Sequence, residues 1–252
     1  MISRLDDPGR AAPLFEGWEE TLIWSCLDGS MGEIYGDDAL RPQSAAAVLG
    51  DFVFFAGKPC RELIARIELP FLILTPQNEA WSVFIEEAFG SNVRRTERYA
   101  FYKDPGGFSV TKLEQMSASL PKGFSLTGIN EELFHWCAGQ DWSRDFVSNF
   151  SGSEDYARRG LGVLALQNGV PVAGASSYSV YSGGIEIEID TRREYRRQGL
   201  ARACGAKLIL ECLERGLYPS WDAQNLISAA LAKQLGYRFR GAYPVYELTI
   251  DI

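Results

Sequence analysis

The stretch Glu194-Tyr195-Arg196-Arg197-Gln198-Gly199-Leu200-Ala201-Arg202 stands between two segments of different periodicity. Before it, Ile185-Glu186-Ile187-Glu188-Ile189 alternates with period two, as a strand does. After it, Leu200 to Arg215 has the spacing of a long helix, stopped by Gly216. At such a junction the first N–H groups of the helix are unpaired, and its dipole favours an anion. Gly199 permits close approach of the backbone to a ligand, and the small Ala201 lets the helix sit near it. Arg192, Arg193, Arg196, Arg197 and Arg202 bring five positive charges into eleven residues of a chain whose formal net charge is −8. A diphosphate fits these features. A solvated, arginine-rich helix start is the competing reading.

Working outward, Leu217 to Trp221 reads as a strand and Asn225 to Leu235 as a helix ending at Gly236. Upstream, Gly162 to Leu166 and Val170 to Tyr181 form strands joined through Gln167-Asn168-Gly169, because Asn-Gly supplies the positive φ of a type I′ turn. Phe124 to Leu126 is a short strand, Asn130 caps a helix reaching Cys137, and Trp142 to Phe150 suggests a second helix. The order is β-α-α-β-β-β-α-β-α-β, and a boundary is expected near Leu120-Pro121-Lys122-Gly123. Residues 1–120 mix both element types. Helical spacing covers Arg10 to Cys26, Arg61 to Ile67 and Ala80 to Phe89; strands cover Gly32 to Tyr35, Ala45 to Ala56 and Leu69 to Leu74. Two polar strands are expected between Arg94 and Leu120, about the turn Asp104-Pro105-Gly106-Gly107. Phe52, Phe54 and Phe55 read as core.

Composition narrows the function. The 252 residues are 46% apolar and 23% charged, an ordinary globular balance. An acidic chain repels phosphate backbones as a whole, which argues against nucleic acid as a partner. The single histidine, His135, lies on a helix face and reads as a packing residue, so triads and His-rich metal sites are poorly served. Five scattered cysteines without a CxxC pair suit reduced thiols in a cytoplasmic protein, with Cys204 and Cys212 facing inward. The N-terminus lacks the apolar run of a signal peptide, and no stretch is long enough to span a membrane. Gly160-Leu161-Gly162 imitates a dinucleotide fingerprint but runs on into a hairpin instead of a helix.

The pattern Arg196-x-x-Gly199-x-Ala201 resembles the signature of the GNAT superfamily of acyl-CoA-dependent N-acyltransferases. The element order from Phe124 onward resembles it too, as does Asn225-x-x-Ser228-x-x-Leu231-Ala232-x-x-Leu235-Gly236-Tyr237. Trp221-Asp222-Ala223-Gln224-Asn225 looks like a subgroup that carries an extra N-terminal half. The resemblance implies an α/β (α+β) fold: a mixed, mostly antiparallel sheet with flanking helices over 121–252, preceded by a smaller α+β domain over 1–120. It also implies acetyl-CoA as co-substrate, with Arg196, Arg197, Gln198, Gly199, Leu200 and Ala201 on the pyrophosphate and Ile189, Thr191 and Asn225 along the pantetheine. For Asn225 a simple helix cap is an equal reading.

Catalysis in that family needs a base and is helped by an acid. Glu186 and Glu188 share one face of their strand, opposite Ile185, Ile187 and Ile189, and are the candidate bases in that order. Counting from the family pattern lands on Ile185, one residue short of Glu186; a bulge would shift the register. Solvent-facing charges are the alternative. Ala232 stands where many relatives carry a Tyr that protonates the departing thiolate. Tyr237, Tyr243 or Tyr246 would substitute, or the thiolate leaves unassisted. The expected reaction is direct attack of an acceptor's primary amine on the thioester, with a backbone N–H near Ile189 polarising the carbonyl and no metal. The acceptor is a small molecule or peptide, and net charge −8 leans toward a cationic one. No membrane partner is expected. The N-terminal half is open to three roles: a degenerate copy of the fold, a lid, or a homodimer surface. A non-catalytic acyl-CoA sensor and a protein-interaction module remain the rival functions.

Overall fold

The computed structural model describes residues 2–64 and 71–249. The chain divides into two compact units, one of residues 1–98 with 242–252 and one of residues 99–241. The first unit holds β1 (Ser3–Arg4), a 3-10 turn (Pro8–Phe15), α1 (Thr21–Leu27), β2 (Glu33–Gly36), β3 (Ser44–Leu49), β4 (Phe52–Gly57), α2 (Arg61–Ile64), β5 (Phe71–Pro76), α3 (Glu79–Phe89) and the start of β6 (Val93–Phe101). The second continues from β6 through α4 (Val110–Ala118), β7 (Phe124–Gly128), α5 (Glu131–Ala138), α6 (Ser153–Arg159), β8 (Gly162–Gln167), β9 (Val170–Tyr181) and β10 (Gly184–Thr191). It ends with α7 (Leu200–Glu214), β11 (Tyr218–Ser220), β12 (Asp222–Ala223), α8 (Leu226–Leu235) and the start of β13 (Phe239–Thr249).

One topology occurs twice. β1-β2-β3-β4 are antiparallel neighbours and β4 pairs parallel with β5. β7-β8-β9-β10 are likewise antiparallel, and β10 pairs parallel with β11. Each unit is then closed by a strand that begins in the other. Tyr246–Thr249 of β13 pair with β5, whereas Tyr99 and Ala100 of β6 pair with β12. This routing explains why the compact units break at 98/99 and 241/242, while the boundary expected from the sequence lies near residue 120.

Each half has its own core. In the first, Phe55 stacks on Trp81 with ring centroids 4.8 Å apart, among Val53, Leu72, Leu74 and Ile85. In the second, α7 lies over the sheet through Ala203, Cys204, Ala206, Leu208, Ile209 and Cys212, all buried. Burial pushes the Cys204 and Cys212 thiols up to about 12, so they are apolar packing and not nucleophiles. Among the described residues no helix is long and apolar enough to cross a membrane.

Four local expectations differ from the structure. The helical spacing over Arg10 to Cys26 resolves into the 3-10 turn and α1, parted at Gly17 (φ 76°). Ala45 to Ala56 is two strands reversing at Gly50-Asp51. Residues 94–120 hold one strand and α4, not two strands; α4 buries only Leu113, so its apolar signal is weak. Trp142 to Phe150 contains only a 3-10 turn (Arg144–Phe146), because Phe146, Val147 and Phe150 reach the core from irregular chain. The next helix is α6, where Asp155 accepts hydrogen bonds from Arg158 and Arg159. Residues 65–67 of the expected helix, residues 69–70 of the next strand and residue 250 lie outside the described residues.

Candidate active site

The parallel β10/β11 pair is short. Gly184, Ile185 and Glu186 pair with Tyr218, Pro219 and Ser220, and no further. Beyond Glu186, β10 continues to Thr191 on β9 alone, while the other strand turns off at Trp221 to pair with β6. Two parallel strands that part in mid-sheet leave a cleft edged by unpaired backbone groups, the donors and acceptors an amide-bearing chain needs. The β10/β9 register slips between Glu186 and Ile187, leaving Tyr178 as the extra residue on β9. The irregularity therefore falls beside Glu186, where the strands begin to diverge.

Glu186 is 4% exposed and Glu188 half-buried. Neither is a surface carboxylate of an open sheet face. Burial chiefly, with the Glu186 charge contributing, raises the hydroxyl pKa values of Tyr181, Tyr218 and Tyr237; Tyr218 is pushed up to about 12. The Tyr218 hydroxyl donates to Tyr102 O and accepts from Asp104 N, each at 3.2 Å. Lys103 Nζ donates to Ser220 Oγ at 2.6 Å. No local pattern marks Lys103, which reaches Ser220 across 117 residues.

The loop after β10 carries two left-handed residues, Arg197 (φ 62°) and Gly199 (φ 80°). An arginine in that region costs about 1–3 kcal/mol unless its surroundings hold it there. Arg196 does some of that holding: its Nε donates to Thr191 O at 3.0 Å and its Nη2 to Asp190 at 3.3 Å, folding the loop onto the end of β10. Arg197 and Gln198 are exposed, and Gly199 is the N-cap of α7. Leu200 is buried under the loop and Ala201 is half-exposed. A side-chain carbon added at Gly199 would lie 3.6 Å from Arg202 Nη2. Arg202 Nε is buried with no hydrogen-bond partner, and so is Thr191 Oγ1 at the end of β10. An orphaned guanidinium N–H beneath a cationic loop at a fifteen-residue helix start suits a phosphate oxygen.

Ile189 turns its side chain onto α7, where its Cδ1 faces Gly205. Asn225 Oδ1 caps α8, accepting from Ile227 N and Ser228 N at 3.0 Å each. Beside it Leu226 and Ile227 are 67% and 84% exposed, an apolar pair that periodicity alone would have buried. Ala232 is fully buried in α8. Of the tyrosines considered in its place, Tyr237 is 5% exposed and donates to Pro219 O at 2.5 Å. Tyr246 belongs to the first unit and donates to Glu86 at 2.6 Å; Tyr243 belongs there too.

The first unit repeats the topology without the opening. Its parallel pair runs to Phe55 and Pro76, and Gln77 N then donates to Phe55 O. Gly57 N donates to the Gln77 side chain, and Trp81 Nε1 donates to Gly57 O. These bonds stitch the ends of β4 and β5 together.

Diverging parallel strands that meet an arginine-rich helix start are the distinguishing geometry of the second unit. Residues 12–246 match the family described as GNAT acetyltransferase, and the chain belongs to it. Acetyl transfer is the chemistry of that family, generally with acetyl-CoA as donor. A Bacillus subtilis (strain 168) protein named uncharacterized N-acetyltransferase YdfB is 25% identical over 241 residues, spanning 90% of this chain and 89% of its own. A GCN5-related N-acetyltransferase-like protein from Streptococcus suis 89/1591 has a solved structure that matches with a TM-score of 0.91 and 48% identity, over 96% of this chain and 98% of that one. A Drosophila protein shares the fold alone, with a TM-score of 0.61, 14% identity and 98% of both chains covered.

Proposed function

We propose that the protein transfers an acetyl group from acetyl-CoA to a primary amine by direct attack. The observation that carries this reading is the parting of β10 from β11 beside the buried Glu186, with the cationic loop at the far end of the same strand. Acetyl-CoA supplies an acyl group already activated as a thioester. Arg197, Gln198, Gly199, Leu200 and Ala201 hold the pyrophosphate through backbone N–H groups, with Arg202 Nε as an additional donor. Ile189 and Thr191 offer the free edge of β10 to the pantetheine amides, and Asn225 retains its Nδ2 for the same chain while Oδ1 caps the helix. A backbone N–H near Ile189 polarises the acyl carbonyl. Glu186 takes the proton from the attacking amine, and Glu188, two residues along the same face, is the alternative base. The thiolate leaves without a tyrosine on α8, since Ala232 has no acidic group.

A second reading, a protein that binds acyl-CoA without turnover, draws on the buried Ala232 and on Tyr237 being committed to the Pro219 carbonyl. Two measurements decide. A ligand at 100 times its Kd adds about 2.7 kcal/mol, so acetyl-CoA should raise Tm by roughly 5–10 °C for a chain of this size. Release of free thiol from acetyl-CoA across a panel of amines then separates transfer from sensing. Absence of stabilisation by any CoA thioester would overturn both readings.

A further inference from the structure

We infer that the acceptor is a zwitterion, an amine with a carboxylate on the adjacent carbon as in a free amino acid, its carboxylate held by Lys103. This rests on the acetyl-transfer reading and deepens it. Ser179, Glu186 and Ser220 are partners across β9, β10 and β11, so their side chains share one face at the point where the strands part. Lys103 Nζ, 2.6 Å from Ser220 Oγ, extends this polar row by a cation. Neighbouring strands lie about 4.8 Å apart, so Glu186 and the serine that Lys103 contacts are next-door residues on adjacent strands, with the anion on one and the cation at the hydroxyl of the other.

Lys103 is half-buried and makes no ion pair among the described residues; Ser220 Oγ is its hydrogen-bond partner. On the other flank of Glu186, Ser179 Oγ is fully buried and has no partner. A buried hydroxyl without a partner and a partly desolvated ammonium without a counter-ion both carry a cost that a ligand can offset. An amino acid presents its ammonium and carboxylate two bonds apart, which suits Glu186 and Lys103 together. A polyamine would bring a second cation toward Lys103. The long-range field of an acidic chain draws cations in, but this local pair selects among them.

Rates of thiol release with glycine and alanine, set against methylamine, ethylamine and spermidine, test the inference on the unaltered protein. The amino acids should exceed their decarboxylated partners in kcat/KM by roughly ten- to hundredfold, the worth of a charge-assisted hydrogen bond. Lys103→Met should raise KM for the amino acids by that factor and leave kcat/KM for ethylamine within about twofold, with acetyl-CoA affinity by calorimetry as the check on folding. Equal or better turnover of plain amines or spermidine overturns the zwitterion while leaving the acetyl-transfer reading in place. So does acetyl-CoA binding with no turnover of any amino acid. If acetyl-CoA does not bind the unaltered protein at all, both fall. Should Lys103→Met not fold, the substrate preference of the unaltered protein still decides.

Discussion

Gly199 and Glu186 separate binding from chemistry. At φ 80° a β-branched side chain is strained by about 1–2 kcal/mol, and it would also stand where the pyrophosphate must approach. Gly199→Val is therefore expected to abolish the heat of acetyl-CoA binding and its thermal stabilisation, with circular dichroism unchanged. Retained binding would move the pyrophosphate elsewhere. Glu186→Gln keeps the shape and removes the basic oxygen. Its expected signature is a kcat lower by about 10²–10⁴-fold, with acetyl-CoA affinity unaltered; an unchanged kcat eliminates Glu186 as base and leaves Glu188. Position 186 itself was within reach of the strand's alternation, but its burial was not. Period two describes faces, and only the packing on β10 reveals that both faces are covered from Gly184 to Ile187.

Among elements, α6 is the one whose stability is most open to test. Asp155 accepts from Arg159 Nε and Nη2 at 2.8 Å, from Arg158 at 2.6 Å and from Ser151 N at 3.3 Å. Arg159 chiefly, then Ser151 N and Arg158, hold its carboxyl well below the usual carboxylate range, against the opposing pull of burial. A depressed folded-state value means the stabilisation is complete above the unfolded pKa, about 4, and fades as pH falls through the folded value. Asp155→Asn should cost about 1–3 kcal/mol at neutral pH, and the Tm gap to the unaltered protein should narrow steadily below pH 4. A gap that stays constant down to pH 2 would remove the ion pairs as its cause.

Elements encoded by their own termini were legible in the sequence. The hairpin at Asn168 (φ 51°) and Gly169 (φ 81°), and the caps Asn130 and Asn225, depend on neighbours only two or three residues away. The left-handed loop at Arg197 and Gly199 is of the same kind. Lys103, the pairing of β13 with β5, and α4 are of another kind, since their partners lie far along the chain and leave no local pattern.

The whole molecule turns on that exchange of strands. A cut at residue 120, at the Leu120-Pro121-Lys122-Gly123 break, would remove Tyr99 and Ala100, the partners of β12, and with them Lys103 and α4, which packs along α7. It would keep Tyr246 and Leu248, whose side chains are buried in the core of the first unit and would be left exposed. A fragment of residues 99–241 retains every strand pairing of the second unit, the loop at 196–199 and Lys103. Loss of one large core side chain costs about 2–5 kcal/mol, and total stability is typically about 5–15 kcal/mol; removing α4 takes away the buried Leu113 and uncovers part of the α7 face together. Fragment 99–241 should therefore unfold in a single cooperative transition and be stabilised by acetyl-CoA, whereas fragment 121–252 should show neither. Calorimetric scans of both, with and without acetyl-CoA, decide it. A cooperative, ligand-stabilised 121–252 would mean that the strand and helix contributed by residues 99–120 are dispensable, and that the fold of the second unit is carried by β7 to α8 alone.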